Sequence, residues 1–284
     1  MLKYLVLILT IPFAGANAYC SDVHSARTAS LGGAGHAGPL LNDAIFLNPG
    51  FASFLPTYSA GFNYLTYSGP PITEPPPEVD PHGRNYSVSV QDGRSPLFQL
   101  GVGYSVRDDG SFVHIGASKA FIQRVGFGLG SKFFFNNSSL KNGTDAILSF
   151  AGIASDWFQT SLTIDNLLQT AAGQQRNLYR EFVLGTKFNV MGIVLCYFDP
   201  HMAPTNPLGS YGHELGLEFV VFQDFFLRMG QFKNSTIPHE GKYGNGYGLG
   251  AGWVAPRLSL DYGLEREITP RATTAHVFGA TAFF

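Results

Sequence analysis

Residues 26–50 read ARTASLGGAGHAGPLLNDAIFLNPG, and this stretch decides how the rest of the chain is interpreted. It is rich in Gly and Ala, carries Asn42-Asp43-Ala44 and ends in Asn48-Pro49-Gly50. Glycine allows turns that other residues avoid, and proline fixes one backbone angle, so the stretch favours compact, irregular structure. Such a start is unusual for a soluble domain. We therefore interpret it as a segment folded inside a closed sheet.

After Tyr58 the chain alternates between apolar and polar residues. In residues 84–92, for example, Tyr86, Val88 and Val90 fall on one face and polar residues fall on the other. A period of two residues with one apolar face indicates a β-strand. The pattern predicts about fourteen strands, at residues 58–67, 84–92, 97–107, 111–121, 124–135, 145–155, 157–166, 178–189, 191–198, 210–222, 224–233, 244–254, 257–265 and 273–284.

The connections between these strands alternate in length. Long, polar connections are expected at residues 68–83, 136–144, 167–177, 199–209 and 234–243, and tight turns lie between them. Residues 107–110 form a shorter connection in the series of long ones. Alternating long loops and short turns are typical of an antiparallel up-and-down transmembrane β-barrel. A β-sandwich would also show alternating strands, but not this regular phase of the connections.

Composition narrows the class of protein. Charged residues make up 13% of the chain, the net charge is -2, and no basic stripe is present, so no nucleic-acid partner is expected. Aromatic residues reach 14% and Gly accounts for 34 residues, which suits a β-barrel with aromatic girdles. Outer-membrane lipids are then the expected surroundings.

The first 18 residues predict a cleaved signal peptide. Lys3 precedes an apolar run, and Ala16-Asn17-Ala18 is a small-x-small cleavage site. The run is shorter than the roughly 20 residues of a spanning helix. The expected domains are therefore a signal peptide (1–18), an N-terminal hatch or plug (19–57) and a barrel (58–284), located in the outer membrane of a Gram-negative bacterium. The sequence has two cysteines, Cys20 and Cys196, and does not decide whether they form a disulfide.

The residues of the opening stretch resemble the start of the FadL-like superfamily of outer-membrane barrels, which includes PorV-type proteins. The resemblance lies in Ala26-Arg27, Leu31-Gly32-Gly33-Ala34, Asn42-Asp43-Ala44 and Asn48-Pro49-Gly50. It implies a fourteen-stranded barrel with an N-terminal hatch in the lumen. It also implies hatch or gating roles for Gly32, Gly33, Asp43, Asn48 and Pro49. Gly50 stands where the family usually has Ala, and no long outer loops are present to form an external docking groove.

The leading functional hypothesis is passive uptake of hydrophobic, fatty-acid-like small molecules through a plugged lumen. Phe46, Phe51 and Phe54 are the candidate substrate-binding residues. A structural, oligomeric and lipid-associating protein without transport activity is the alternative, and a general porin is a weaker one. The terminal Phe284 closes an alternating strand, which resembles the signal by which the barrel assembly machinery recognises its substrates.

The sequence offers no catalytic constellation, cofactor motif or metal spacing. Gly33-Ala-Gly35-His-Ala-Gly38 matches G-x-G-x-x-G, but neither a strand before it nor a βαβ unit is predicted, so no dinucleotide site is expected. The eight His residues show no paired ligand spacing. We therefore expect no enzyme, no cofactor and no metal.

Two patterns concern the interior of the predicted barrel. The alternating glycines Gly244, Gly246, Gly248, Gly250 and Gly252 predict an inward-facing stripe that makes room for the plug. Charges of both signs predict neutralising networks around the plug rather than an ion-selective pore; they are Arg107, Arg124, Lys132, Glu181, Lys187, Glu214, Glu218, Arg228, Asp261 and Glu265.

Overall fold

A computed structural model of the chain describes residues 23–39, 42–70, 82–137, 139–205, 211–237 and 242–284. Fourteen antiparallel strands form a closed barrel, in which each strand pairs with its sequence neighbours and the first pairs with the last. The predicted fourteen-stranded antiparallel barrel is confirmed. The predicted signal peptide and Cys20 lie outside the described residues.

The strands are β1 Tyr58–Ser68, β2 Gly83–Asp92, β3 Gln99–Arg107, β4 Gly110–Ile122, β5 Val125–Phe135, β6 Gly143–Ser155, β7 Phe158–Asp165, β8 Glu181–Val190, β9 Val194–Met202, β10 Tyr211–Phe222, β11 Phe225–Ile237, β12 Lys242–Ala255, β13 Leu258–Thr269 and β14 Thr274–Phe283. The helices are α1 Ala26–Ser30, α2 Asp43–Leu47, a 3₁₀ helix Pro49–Phe54, and α3 Ala171–Gln174. Among the described residues, no helix is both long and apolar enough to cross a membrane.

The two ends of the barrel differ in their connections. We call one the turn end, where residues 93–98, 123–124, 156–157, 191–193, 223–224 and 256–257 connect the strands. The other is the loop end, where residues 69–70, 82, 136–137, 139–142 and 166–180 lie. The chain enters β1 and leaves β14 at the turn end. The predicted short connection at the loop end is confirmed, since only residues 108–109 separate β3 from β4.

Along much of the wall, polar residues face the interior and apolar residues face outward. In β2, Ser87, Ser89 and Gln91 are at most 5% exposed, whereas Val88 and Val90 are more than 40% exposed on the outer wall. This is the reverse of a soluble protein and matches a transmembrane barrel. Closure also pairs the first strand with the last. An open sheet would leave the backbone groups of its edge strands without hydrogen bonds in lipid.

Aromatic side chains gather on the outer wall near the turn end. Trp157 stacks on Phe188 with a centroid distance of 6.4 Å, and Phe222 contacts Phe225 at the same distance. Tyr58 of β1 contacts the terminal Phe284 at 5.8 Å. Such aromatic residues suit the polar boundary of a bilayer, where an apolar ring body and a polar environment meet.

Several strands run further toward the loop end than the alternation predicts. β9 continues to Met202, β11 to Ile237 and β13 to Thr269. The pairing register of β11 with β12 shifts between Lys233 and Ser235, where Asn234 has a left-handed φ of 52°. A bulge inserts one residue and reverses which residues face inward, so the period of two is broken in the sequence although the strand continues. The predicted loops at 199–209 and 234–243 are therefore wrong in their bounds.

Candidate functional site: the lumen and its N-terminal segment

The described part of residues 23–57, here called the N-terminal segment, lies against the inner wall of the barrel. α1 contacts β11 to β14, α2 contacts β3 and β4, and the 3₁₀ helix contacts β3 to β6. Ser25 caps α1 by accepting a hydrogen bond from the Thr28 amide at 3.2 Å. Ala26 and Ala29 are fully buried. Small side chains thus allow a short helix to approach the wall closely.

Glycines of the wall make this approach possible. A Cβ atom on Gly248 would overlap the Ala29 carbonyl oxygen and lie 2.9 Å from the Gly32 nitrogen. A Cβ on Gly250 would lie 2.5 Å from that of Ser30. The inward orientation predicted for the glycine stripe is confirmed at these two positions. The nearest neighbours of Gly244, Gly246 and Gly252 are residues of the wall instead.

The turn after α1 presses against the middle of the wall. Gly32 and Gly33 have φ angles of 65° and 87°, which only glycine adopts without strain. A Cβ on Gly32 would lie 2.7 Å from the backbone nitrogen of Gln231, and one on Gly33 would lie 2.6 Å from Oε1 of Glu214. The backbone angles favour glycine at both positions, and the contact with the Gln231 backbone requires it at Gly32 as well.

Asn48, Pro49 and Gly50 join the segment to itself and to the wall. The Asn48 side chain donates a hydrogen bond from Nδ2 to the His36 carbonyl oxygen at 2.8 Å. The Gly50 amide donates to Oγ of Ser149 at 2.8 Å. Pro49 begins the 3₁₀ helix. These contacts show how the residues are held, whereas their gating role stays a prediction.

The three candidate substrate-binding phenylalanines lie in two places rather than in one tract. Phe46 packs with Val23 and Ile45, and its ring meets His114 edge-on at 5.1 Å. Phe51 and Phe54 contact each other at 5.7 Å in a different apolar cluster. Phe46 and Phe51 are at most 5% exposed. A substrate could reach these rings only if the segment moved.

A network of ion pairs and hydrogen bonds links the segment to four strands. Glu218 accepts hydrogen bonds from Nε of Arg27 at 3.2 Å and from Nε of Arg228 at 2.5 Å. Arg228 also donates to Asp261 at 2.6 Å, and Arg27 donates to the Tyr197 hydroxyl at 2.8 Å. The network joins α1 to β9, β10, β11 and β13. Its carboxylates balance the charges of the buried guanidinium groups.

Further pairs of an acidic and a basic side chain cross the interior. His24 lies 2.6 Å from Glu265, His36 lies 3.0 Å from Asp199, and the buried Lys132 lies 2.7 Å from Asp165. The predicted neutralising networks are confirmed for seven of the ten charges; within the described residues, Glu214 and Lys187 form no ion pair. Arg124 does not belong to them: it is exposed at the turn end, where it donates to the Ala154 carbonyl oxygen. Arg124 is itself the second residue of the two-residue turn 123–124, which explains why the alternation misplaced it.

A cavity of about 400 Å³ lies between the N-terminal segment and the wall at the turn end. The segment contributes Ser25, Arg27, Asn42 and Asp43 to its lining, and the wall contributes polar residues that include Arg228 and Asp261. None of the three candidate phenylalanines lines it. The alternation of β1 could have indicated Asn63 in this lining, but nothing in the sequence identified Asn42 as a contact of Ser89.

The loop end is covered by the connection between β7 and β8, which carries α3. Its residues Ala172 and Leu178 pack against the inward-facing Phe112 and Phe134. The Arg176 guanidinium lies 5.3 Å from the centroid of Phe134, at cation–π distance. The mouth of the barrel is thus closed in part by an apolar cluster rather than by charge.

The outer wall has a groove of about 570 Å³ across β8 to β12. Its sides are outward-facing apolar residues such as Phe198, Leu217 and Met229, and Gly216, Gly230 and Gly248 contribute to its lining. These three glycines pair with one another in register across β10, β11 and β12. Gly32 of the segment packs on the inner side of this wall.

No family model matches the sequence, and no curated protein matches it either. Solved structures do match. The CymD monoaromatic hydrocarbon channel aligns over 97% of this chain and 99% of its own, with 10% identity and a TM-score of 0.67. The Ralstonia pickettii toluene transporter TbuX aligns over 93% and 99%, with 8% identity and a TM-score of 0.69. A Pseudomonas aeruginosa FadL homologue aligns over 95% and 99%, with 12% identity and a TM-score of 0.60.

These alignments span nearly the whole of each chain. At identities of 8–12%, they show similarity of fold and nothing further. In its fold the chain is therefore similar to the FadL-type hydrocarbon channels, as the residues of the opening stretch indicated.

Proposed function

We propose that the protein carries small hydrophobic molecules across an outer membrane, with the N-terminal segment acting as a plug in the lumen. The observation that supports this most is the segment itself, which lies against the inner wall of a barrel whose outer wall is apolar. The structural neighbours include a toluene transporter and a monoaromatic hydrocarbon channel. The turn end would face the periplasm, as expected for a barrel with short periplasmic turns.

Passage requires the segment to move, because the candidate phenylalanines are buried. Displacement of residues 42–50 would break their hydrogen bonds to the wall and to the rest of the segment. These join Gly50 to Ser149, Asn48 to His36, Asn42 to Ser59 and Ser89, and Asp43 to Ser25. The cavity at the turn end lies beside α1 and α2 and gives them space into which to shift. Gating in this proposal is therefore a displacement of residues 42–50 toward the turn end.

The proposed substrate is a fatty-acid-like or aromatic hydrocarbon molecule that contacts Phe46 and Phe51 as it passes. Uptake of labelled oleate and labelled toluene should be measured in cells that lack their own uptake barrels. We expect faster uptake with the protein than without it, and a several-fold loss in the Phe46→Ala, Phe51→Ala double variant. Phe150→Ala is the matched control, since Phe150 faces outward and is 42% exposed.

Uptake that equals the empty-vector rate for both molecules would contradict the transport proposal. If the wild type takes up either molecule and the double variant does so at the same rate, transport is supported, but the two phenylalanines are not on the route. Surface amounts of each variant must be matched by immunoblotting of outer-membrane fractions.

A second candidate function rests on the groove of the outer wall. A groove of about 570 Å³ with apolar sides is large enough to hold part of a lipid chain or of a neighbouring barrel. The protein would then be a structural, lipid-associating component without transport activity. Native mass spectrometry after mild detergent extraction separates the candidates: a defined oligomer that retains phospholipid favours the structural role, and a monomer that releases a small apolar molecule favours transport.

A further inference from the structure

Two buried carboxylates face each other on the inner wall of the barrel. Asp199 of β9 and Glu214 of β10 are direct cross-strand partners, and both are 0% exposed. Like charges placed directly opposite each other in a sheet are destabilising, and burial makes the repulsion stronger. Within the described residues, neither carboxylate has a Lys or Arg ion-pair partner. The pair therefore requires a positive charge from another source.

The N-terminal segment brings one imidazole to this pair. His36 is 2% exposed, and its Nδ1 atom lies 3.0 Å from Oδ2 of Asp199. One donor atom from each of His36, Asp199 and Glu214 lies within 4.8 Å of the other two. One imidazole can supply a single positive charge at most, so the cluster keeps an excess of negative charge even when His36 is protonated.

The two carboxylates are held in place differently. Oδ2 of Asp199 accepts hydrogen bonds from the amides of Gly35 and His36 at 2.7 and 2.8 Å, so the turn of the segment is docked on this residue. Oε1 of Glu214 accepts a hydrogen bond from Oγ of Ser235. Oε2 of Glu214 is buried and has no hydrogen-bond partner among the described residues. Burying a carboxylate oxygen costs free energy unless the oxygen is hydrogen-bonded, forms an ion pair or binds a metal.

We propose that His36, Asp199 and Glu214 bind one divalent transition-metal ion, which joins the N-terminal segment to the wall. Zn²⁺ accepts nitrogen and carboxylate ligands at about 2.0–2.2 Å, so ligand atoms on one ion lie roughly 3–4 Å apart. Donor atoms within 4.8 Å of one another need only small side-chain movements to reach that spacing. The unpartnered oxygen of Glu214 becomes a ligand, and the ion balances the two facing carboxylates.

The imidazole selects among cations. Ca²⁺ and Mg²⁺ prefer oxygen ligands, whereas His nitrogen with carboxylates suits Zn²⁺ and its first-row neighbours. Nearby, His201 lies two residues from Asp199 on the same inner face of β9 and is 2.5 Å from Glu181. This second carboxylate–imidazole pair adds polar groups beside the proposed site.

The site could not be recognised from spacing, because its residues are separated by 163 and 15 positions in the sequence. They meet only where the segment touches the β9–β10 pair. The expectation of no metal rested on the absence of paired His spacing, and the proposal departs from it. The proposal is independent of transport, since a structural barrel could hold the same ion.

The test uses the full mature chain without a His tag, refolded into detergent with Zn²⁺ after metal removal. Metal content is measured by inductively coupled plasma mass spectrometry after gel filtration, and Co²⁺ absorption reports the ligand geometry. We expect one ion per chain and visible Co²⁺ bands. Ca²⁺ in excess should not displace Zn²⁺. His36→Gln and Glu214→Gln should each weaken Zn²⁺ binding by at least about 100-fold, since even outer-shell changes cost 10–100-fold.

His24→Gln is the matched control. His24 also comes from the segment and pairs with a buried wall carboxylate, Glu265, at 2.6 Å, but it is not part of the three-residue cluster. It should retain the ion. Folding of each variant is verified by the heat-dependent gel shift that barrels show. If His36→Gln does not fold, Glu214→Gln alone tests the loss of Zn²⁺ binding. Refolded wild type with no bound Zn²⁺, or equal loss in His24→Gln and Glu214→Gln, would overturn the proposal.

Discussion

Two inward-facing glycines contact Pro49 and Gly50 at different distances. A Cβ atom on Gly128 would overlap the Gly50 nitrogen and lie 2.6 Å from the Pro49 carbonyl carbon. One on Gly116 would lie 3.4 Å from Cβ of Pro49, at an acceptable contact distance. The N-terminal segment is therefore fitted to the wall residue by residue, and the fit differs between neighbouring strands.

Gly128→Ala should destabilise the barrel by about 1–3 kcal/mol, because overpacking forces the segment from the wall. Gly116→Ala should be neutral or slightly stabilising, since replacing glycine lowers the entropy of the unfolded chain. Urea-induced unfolding in detergent micelles measures both variants under the same conditions. Equal destabilisation would show that the segment does not press on β5 as described.

The charge of Asp43 makes the seating of the segment dependent on pH. Burial raises the pKa of the Asp43 carboxyl to about 6, although the nearby Arg27 and the hydrogen bond from Ser25 oppose the rise. A raised pKa in the folded state favours the protonated form. The stabilising contribution is therefore complete below the unfolded value of about 4 and is lost as the pH rises through about 6.

The Asp43→Asn variant should consequently unfold at a higher temperature than the wild type at pH 7.5. This difference in unfolding temperature should shrink toward pH 4. The amide oxygen can still accept the hydrogen bond from Ser25, which lies 3.0 Å away. Thermal unfolding at a series of pH values measures the difference between the two proteins and cancels the contributions of other groups. A difference that does not vary with pH would contradict the assignment.

At the scale of elements, the connection between β7 and β8 depends on one buried acid of β6. Asp145 accepts hydrogen bonds from the amides of Leu168 at 2.8 Å and Thr170 at 3.1 Å. It is 1% exposed and lies where the connection turns over the mouth. The cover of the loop end is thus fastened from the barrel wall rather than from the other loops alone.

Asp145→Ala should loosen this connection without unfolding the barrel, because each lost acceptor costs about 1–3 kcal/mol locally. Limited proteolysis should cut residues 166–180 faster, with the heat-dependent gel shift unchanged. Asn137→Ala is the control, since Asn137 stabilises the turn of its own loop through Ser139 and Leu140. Equal protection of residues 166–180 in wild type and Asp145→Ala would refute the anchoring role.

Over the whole molecule, Glu218 holds together parts of the barrel that are far apart in sequence. It is 1% exposed and lies between two guanidinium groups, one from the segment and one from β11. Removing one member of a buried ionic group leaves charge uncompensated, which costs about 3–5 kcal/mol. The same interaction therefore supports both the wall and the position of α1.

Glu218→Gln should lower the free energy of unfolding by an amount near that range, and Arg124→Gln should leave it nearly unchanged, because Arg124 is exposed at the turn end. Urea titration followed by tryptophan fluorescence measures both. If Glu218→Gln were as stable as Arg124→Gln, the network would be of little importance to the fold.

The sequence by itself determined the strand number, the alternation of faces and the order of turns and loops. These features depend on local rules: a period of two in side-chain direction, and Gly, Pro, Asn and Asp at turns. The rules failed at the bulge near Asn234, where one extra residue reversed the faces of β11. They also failed for Arg124, which lies in the turn before β5 rather than at an inward position of the strand.

Only the tertiary structure decided which residues meet in the lumen. Closure of the barrel brings β9 and β10 opposite the segment, so His36 reaches Asp199 across 163 positions of sequence. It also separates Phe46 from Phe51 and Phe54, which the sequence places within nine residues. The physical reason is that lumen contacts depend on the register of fourteen paired strands. Local propensity sets each strand, but pairing around the whole ring sets what lies inside it.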